Sequence, residues 1–466
     1  MKFGRMTEHI DGLKYLVGKL ELSGSRPLRY LMQTPFCTNR QELESGYDIL
    51  QSALDLVLDP TRLSDCMRLN HLFSQIHDIQ GTLQAVADKR VLDEIELFEI
   101  KYFAFLCSDF SSLLNDMGFT HEPLYPLNEV TAILDPDGTG VVSFYIYNSY
   151  SQSLAAARDR LRGTDPGEQP GEWETLRQAV DKAELEVRDE LSRRINNYYG
   201  VLRENFDTLA RIEIWFAKAY LAKRYRLVRP EFIPDSGPEF LTIEEMFHPH
   251  IADALEDSGI SFQPVSIRLE KGPCLLTGAN MSGKTVVLKT VSLIQTLAQY
   301  GFFVPAGKAR LTVVEELFLV SGDRQDPLRG LSSFAAEMLE LNRIFAAVKK
   351  GTCMIVLIDE PARTTNPNEG MALVSALADF FTLHRTTALI STHFGDMNLS
   401  CRKLRVKGFT SQSAVPGEVN AQNINKYIDY SLVEDMDGLV PEEALRIARL
   451  LGVDASFLEL AKKYVK

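Results

Sequence analysis

Apolar residues recur at helical spacing through the first part of the chain. Around positions 43–57 they lie three or four residues apart, and the stretch 91–106 repeats the pattern. Pro35 and Pro60 interrupt it, and proline ends or kinks a helix. Residues 1–115 are therefore predicted to form a helical core domain made of several helices.

A longer helical pattern follows a cluster of helix-breaking residues. Positions 163–171 read Gly-Thr-Asp-Pro-Gly-Glu-Gln-Pro-Gly, which is typical of a turn and too short to hold a domain. After it, apolar residues recur at steps of three and four, which predicts one helix from Glu172 to about Leu227. Such a helix would be on the order of 80 Å long at ~1.5 Å per residue, with Gly200 as the expected bend. Residues 116–230 are predicted to form two long antiparallel lever helices.

Beyond position 230 the pattern changes to short, largely apolar runs. Residues 273–277, 353–358 and 387–391 have the length and composition of strands buried on both faces of a parallel sheet. The first run gives way to a helical run at 286–300, so strand and helix alternate. The predicted fold is multi-domain, with an all-α core and lever helices followed by an α/β domain over 231–420.

The first of these strands runs into a glycine-rich loop, which reads Gly278-Ala279-Asn280-Met281-Ser282-Gly283-Lys284-Thr285. Its glycines let backbone N–H groups converge on phosphate oxygens. Lys284 supplies a positive charge to the β- and γ-phosphates, and the Thr285 hydroxyl can ligate Mg²⁺. The order of strand, loop and helix predicts a P-loop that binds ATP and Mg²⁺ through these eight residues.

Two carboxylates close the second apolar strand. Asp359 and Glu360 are predicted at the carboxyl end of a parallel strand, which is the edge where ligands bind. We expect Asp359 to help hold Mg²⁺ and Glu360 to polarise the attacking water. The third strand delivers His393 to the same edge, where an imidazole can reach a γ-phosphate. Together with Lys284, these residues predict Mg²⁺-dependent hydrolysis of ATP.

Another candidate element precedes the carboxylate strand. Residues 329–338 contain a glycine, two hydroxyls and then helix-forming residues, which is the composition of a helix N-terminus that favours an anion. Two interpretations stay open. The hydroxyls cap the helix, or Ser332 reaches the γ-phosphate bound by another subunit, so that two protomers close over two ATP molecules.

Composition and charge limit the partners. Of 466 residues, 45% are hydrophobic and 24% charged, which are ordinary values for globular proteins. The net charge of −13 opposes binding to nucleic acid and anionic lipid, so a DNA contact needs a local basic patch. The six cysteines show no Cys-x-x-Cys spacing, and no apolar run approaches the roughly 18 residues of a membrane span. Since the first residues lack the apolar core of a signal peptide, we expect a cytoplasmic location and no membrane partner.

Four motifs together resemble the ATPase domain of the MutS family. They are LLTGANMSGKTVVLKTVSLIQTLAQYGFFVPA, RGLSSFAAEM, VLIDEPARTTNPNEG and STHF, of which TVVLKT and TNPNEG are closer to the recombination-suppressing branch than to the mismatch-reading branch. The resemblance implies a P-loop ATPase of the ABC type. It also implies the following roles: Lys284 and Thr285 at phosphate and magnesium, Asp359 and Glu360 as strand carboxylates, His393 as the switch histidine, and Ser332 as the signature serine acting across a dimer.

The resemblance extends beyond these motifs. Phe247-His248-Pro249 is similar to the family's Arg-His-Pro element, which implies that His248 lies near the nucleotide although Phe247 replaces the arginine. The run LRYLMQTPFCTNRQELESGYDIL resembles the start of the family's core domain. The run DYSLVEDMDGLVPEEALRIARLLGVD resembles its C-terminal dimerisation segment, which implies a homodimer and a helical segment over 421–466.

Departures from the family pattern leave two hypotheses for the client. The turn at 163–171 has no room for the DNA clamp that relatives insert there, and we expect neither a mismatch-reading domain nor a nuclease domain. Ser282 replaces the family's usual glycine. The first hypothesis is a dimeric ATP-driven switch that acts on mismatched or branched DNA. The alternative is an ATP-dependent protein-remodelling ATPase that reactivates an adenosylcobalamin-dependent aminomutase and has no DNA role, since short clampless MutS-like ATPases of this shape resemble such reactivases.

Overall fold

The computed structural model describes residues 1–279, 282–321, 333–363, 365–394, 397, 399–409, 427–435 and 443–464. The chain divides into two compact units, as the multi-domain prediction requires. The helical unit comprises residues 21–32 and 49–220, and the α/β unit comprises residues 1–20, 33–48 and 221–466. The finer division into four domains stays a prediction.

All elements described up to residue 225 are helical. They are α1 (Phe3–His9), α2 (Asp11–Val17), α3 (Ser25–Gln33), α4 (Arg40–Leu58), α5 (Leu63–Ser74), α6 (Gln80–Ala87), α7 (Glu94–Met117), α8 (Asn128–Leu134), α9 (Gln152–Arg162), α10 (Pro170–Asn196) and α11 (Tyr199–Tyr225), with short 3₁₀ turns at Pro60–Arg62 and Asn148–Tyr150. Helix α7 shows how local sequence sets the ends. Asp93 and Glu96 form a reciprocal capping box at its start, and Gly118, at a φ of 78°, ends it.

The single helix expected from Glu172 to about Leu227 is two helices in the structure. Helix α10 ends at Asn196 and α11 begins at Tyr199. Between them, the Asn197 and Tyr198 N–H groups donate to carbonyls three residues earlier, which is the 3₁₀ pattern. The tightened turn lies just before Gly200, the position predicted for a bend. The first of the two predicted lever helices is shorter than predicted, because α9 has only 11 residues.

A buried ion pair fixes the segment that follows α8. The Lys101 side chain is fully buried, and its Nζ donates to Asp135 Oδ1 at 3.3 Å and to the Tyr147 hydroxyl at 3.0 Å. Asp135 also accepts from the Gly140 N–H and the Thr139 hydroxyl, each at 2.8 Å. Burial would raise the pKa of Asp135, but these hydrogen bonds and the Lys101 ammonium together lower it. The network joins α7 to the extended residues around Tyr147.

Replacing Lys101 by methionine should lower the free energy of unfolding by about 3–5 kcal/mol, because it leaves Asp135 buried without its cation. Urea unfolding followed by circular dichroism would measure the change. Lys182→Met, at an exposed position of α10, is the matched control. A loss no larger than that of the control would show that the ion pair contributes nothing measurable.

The α/β unit contains two sheets. Its further elements are β1 (Glu231–Ile233), β2 (Glu239–Met246), α12 (Pro249–Glu256), β3 (Val265–Glu270), β4 (Pro273–Thr277), α13 (Lys284–Gln299), β5 (Lys308–Thr312), β6 (Glu316–Ser321), α14 (Ser333–Lys349), β7 (Met354–Asp359), α15 (Pro367–Leu383), β8 (Thr387–Ser391), β9 (Arg402–Phe409), β10 (Ile428–Glu434), α16 (Glu443–Leu450) and α17 (Ala455–Lys462). The smaller sheet has the order β1-β5-β2-β3, and only the β1–β5 pair is parallel.

The larger sheet positions the predicted site. Its order is β10-β9-β4-β8-β7-β6, with β10 antiparallel to β9 and all other neighbours parallel. The three apolar runs are thus confirmed as adjacent parallel strands β4, β8 and β7. Helices α14 and α15 pack with these strands in one core, through residues such as Ile344, Phe381 and Val356. Within the described residues, none of the helices has both the length and the apolarity needed to cross a lipid bilayer.

Candidate active site

Two glycines with positive φ angles, which residues with side chains rarely adopt, shape the loop after β4. Gly278 has a φ of 145° and Gly283, the residue before α13, has a φ of 86°. A Cβ atom on Gly278 would lie 2.9 Å from the hydroxyl oxygen of Ser282, so this position has no room for a side chain. Asn280 and Met281 lie outside the described residues. The described ends of the loop carry the chain from the carboxyl end of β4 into the N-terminus of α13.

Lys284, the first residue of α13, points back across the loop. Its Nζ donates to the carbonyl oxygens of Gly278 at 2.9 Å and Ala279 at 3.0 Å, and lies 3.6 Å from Glu360 Oε1. The lysine is only 4% exposed. Burial lowers the pKa of Lys284, and the Glu360 carboxylate acts in the opposite direction. The ammonium is therefore fixed between the loop and the end of β7.

The Asp359 carboxylate joins three elements. Its Oδ2 accepts from the Thr285 hydroxyl on α13 at 2.7 Å, and its Oδ1 accepts from the Ser391 hydroxyl on β8 at 2.6 Å. The Ser391 oxygen in turn accepts from the Glu360 N–H at 2.9 Å. Because β7 and β8 are parallel neighbours, their carboxyl ends bring these groups together. Lys284, Thr285, Asp359 and Glu360 thus form one cluster, as the sequence predicted.

The two histidines predicted near the nucleotide do not join this cluster. His393 follows β8, is exposed, and lies against Phe394 with ring centroids 4.3 Å apart and the rings tilted by 39°. His248 directly precedes α12 and is buried, and a Cβ atom on Gly12 would lie 2.7 Å from its Nε2. Burial, then the neighbouring His250 and Lys289, lower the pKa of His248 to about 4, so its imidazole is neutral at pH 7. The nucleotide roles of His393 and His248 stay predictions.

Two serines, Ser332 and Ser282, were also predicted to belong to the site. Ser332 lies outside the described residues, so its position relative to the cluster is not described. Ser282 is 4% exposed, and its hydroxyl, which lies beneath Gly278, has no hydrogen-bond partner among the described atoms. The serine that replaces the family's glycine is therefore accommodated inside the loop rather than on its outer surface.

The structure also adds residues that the sequence reasoning missed. Ser391 bridges Asp359 and Glu360. Its position in the sequence, at the end of a predicted buried strand, could have indicated that it lies beside the carboxylates. Tyr430 on β10 covers the loop, since a Cβ atom on Gly283 would lie 3.0 Å from its ring. Gln263 accepts from the Tyr430 N–H at 3.1 Å and donates to Asp429 Oδ1 at 2.9 Å, which fixes β10 there. No local pattern links Tyr430 or Gln263 to the loop.

Comparison with known proteins agrees with this geometry. Residues 274–465 match the family described as MutS domain V. Endonuclease MutS2 of Caldicellulosiruptor bescii is 30% identical over 292 residues, which cover 58% of this chain and 36% of the relative. Residues 274–465 of this chain are thus a MutS domain V. The match begins inside β4 and contains the loop, Asp359, Glu360 and His393, whereas His248 lies outside it.

Other relatives with MutS family names align over about half of this chain. The probable DNA mismatch repair protein Msh6 of Drosophila melanogaster is 30% identical, over 48% of this chain and 19% of the relative. The DNA mismatch repair protein MutS of Pseudothermotoga lettingae is 30% identical, over 48% of this chain and 27% of the relative. The matched part of this chain therefore spans between 19% and 36% of the length of these relatives.

Proposed function

We propose that this chain is a Mg²⁺-dependent ATPase whose α/β unit is a P-loop domain of the ABC type. The observation that carries the proposal is the convergence of four side chains at adjacent strand ends. Thr285 Oγ1 lies 2.7 Å from Asp359 Oδ2, and Lys284 Nζ lies 3.6 Å from Glu360 Oε1. A cation beside a glycine loop with two carboxylates opposite is the arrangement that phosphoryl transfer uses.

The residues present fit a magnesium ion. Mg²⁺ prefers oxygen ligands and is usually held by one or two protein groups together with phosphate and water. The Thr285 hydroxyl and Asp359 Oδ2 already lie within hydrogen-bonding distance of each other, and the Ser391 hydroxyl orients the other oxygen of the Asp359 carboxylate. These two residues would hold the ion. When bound, Mg²⁺ would offset the negative charge of the transferred phosphate.

The other residues of the cluster would act on ATP directly. N–H groups of the loop and of the α13 N-terminus would donate hydrogen bonds to the phosphate oxygens, and the Lys284 ammonium would stabilise the negative charge of those oxygens. Glu360 would orient a water molecule and take its proton as the water attacks the γ-phosphate.

Phosphate release from ATP, measured with Mg²⁺ and again with excess EDTA, tests the proposed Mg²⁺-dependent ATPase activity. Equal release in both would contradict the metal requirement.

The proposed client is DNA, and the proposed active form is a homodimer in which Ser332 acts across the interface. The match to MutS domain V supports both, and the relatives are named for DNA mismatch repair and as endonucleases. Nothing among these relatives supports the aminomutase-reactivating alternative. The net charge of −13 requires that any DNA contact be local and cationic.

A salt titration tests the DNA proposal. We expect forked DNA to bind in the presence of ATP, with log affinity falling linearly with log salt at a slope of about −0.7 to −0.9 per neutralised phosphate. Fluorescence anisotropy with labelled DNA, from low to roughly physiological salt, would measure it. Absence of binding even at low salt, in protein that still binds ATP, would contradict the DNA client and leave the ATPase proposal intact.

A further inference from the structure

The chain just after β7 adopts a backbone conformation that is unusual for residues with side chains. Glu360 has a φ of 46° and Ala362 a φ of 59°, both in the left-handed region. This region is strained for a residue with a Cβ atom, and such strain persists only where the surroundings hold it. The turn sets the direction of the Glu360 side chain, so whatever holds the turn also aims that carboxylate.

Two hydrogen bonds hold this turn. The Ser391 hydroxyl accepts from the Glu360 N–H at 2.9 Å, and Glu337 Oε1, on α14, accepts from the Ala362 N–H at 2.9 Å. Ala362 is only 1% exposed, so without Glu337 its N–H would be buried with no acceptor. A half-buried glutamate on a neighbouring helix therefore completes the support of the strained turn.

The surroundings leave the turn little freedom on its other side. Gly370, in α15, lies against both the turn and the residue after His393. A Cβ atom there would lie 2.7 Å from the Phe394 ring and 3.4 Å from the Ala362 carbonyl oxygen. Burial raises the pKa of Glu337, and the Ala362 N–H partly opposes that rise, so the carboxylate bears a desolvation cost at this position. An exposed glutamate would bear none.

We infer that Glu337 is a positioning residue, which holds the left-handed turn at Ala362 and thereby aims the Glu360 carboxylate at the attacking water. The inference rests on the proposed ATPase function. It assigns Glu337 no contact with ATP. Its effect must therefore appear in the rate of turnover rather than in nucleotide affinity, and it must depend on the carboxylate of Glu360.

Three variants of Glu337 test this. Glu337→Met removes the acceptor, and Glu337→Asp keeps the charge but shortens the side chain. Both should lower kcat, on the order of 10- to 100-fold for the methionine variant, with the Kd for ATP unchanged, because a small misplacement of a catalytic group is costly. Glu337→Gln retains a carbonyl acceptor and should retain most of the activity. Glu340→Met, on the same helix and paired with Arg343, is the control and should behave as wild type.

A double-mutant cycle separates positioning from general damage. In a Glu360→Gln background, adding Glu337→Met should cause no further loss of turnover, because its effect passes through Glu360. An equal loss in both backgrounds, or wild-type kcat in both Glu337→Met and Glu337→Asp, would overturn the inference. Should Glu337→Met fail to fold, the aspartate variant carries the same cycle. If wild-type protein itself shows no ATP turnover, the proposed function fails, which is a distinguishable outcome.

Discussion

Replacing Glu360 by glutamine should leave ATP binding intact and lower the rate of hydrolysis at least about 100-fold. A positioned general base contributes on the order of 10²–10⁴ to rate, and glutamine cannot accept a proton from water. Glutamine preserves the size of the side chain and can still face Lys284, which lies 3.6 Å from the carboxylate. Single-turnover measurements of phosphate release, alongside titration of bound ATP, would separate the two effects.

The same variant also reports on assembly. If ATP closes two protomers over two sites, Glu360→Gln with Mg·ATP should accumulate as a dimer in analytical ultracentrifugation.

Glu316→Gln, at an exposed position at the start of β6, is the matched control for the hydrolysis measurement and should hydrolyse ATP at the wild-type rate. Undiminished hydrolysis by Glu360→Gln would remove Glu360 from the catalytic role.

Replacing Lys284 by alanine should weaken ATP binding by about 10- to 100-fold. A hydrogen bond between charged groups contributes roughly 1.5–3 kcal/mol, and the lysine is fixed at the loop by two carbonyl oxygens. Its removal also leaves Asp359 and Glu360 without the nearby cation, so their negative charge would repel the triphosphate. Fluorescence titration with a labelled ATP analogue would measure the affinity.

The control for this prediction lies on the same helix. Lys289→Ala removes a lysine of α13 that lies 3.9 Å from Asp11 and outside the loop, and it should leave nucleotide affinity unchanged. Equal affinity of wild type and Lys284→Ala would mean that the loop does not bind the phosphates.

Most of the cluster could be predicted because its members lie in local patterns. Lys284 and Thr285 follow a glycine loop, and Asp359 and Glu360 end an apolar run, so strand pattern and loop chemistry together place them at one sheet edge. The supporting residues could not be predicted in this way. Glu337 and Tyr430 reach the site through helix and strand packing between distant parts of the chain, for which periodicity contains no information.

The helical part shows the same division. Apolar spacing predicted long helices, and Gly200 was the position predicted for a bend, just after the turn between α10 and α11. The spacing could not show that α10 and α11 are separated by a 3₁₀ turn, because it runs on unchanged through Asn197 and Tyr198. Burial of Lys101 also has no sequence signal, since its partner Asp135 is supplied by a later turn. The roles of His248, His393 and Ser332 stay predictions from the family resemblance.

The most direct test of the account is calorimetric titration of Mg·ATP into the purified wild-type chain. We expect saturable binding of one ATP per chain, lost or greatly weakened in Lys284→Ala and retained in Glu360→Gln. Folded wild-type protein that takes up no ATP, or that binds it as tightly after Lys284→Ala, would contradict the assignment of the loop and its carboxylates as a nucleotide site.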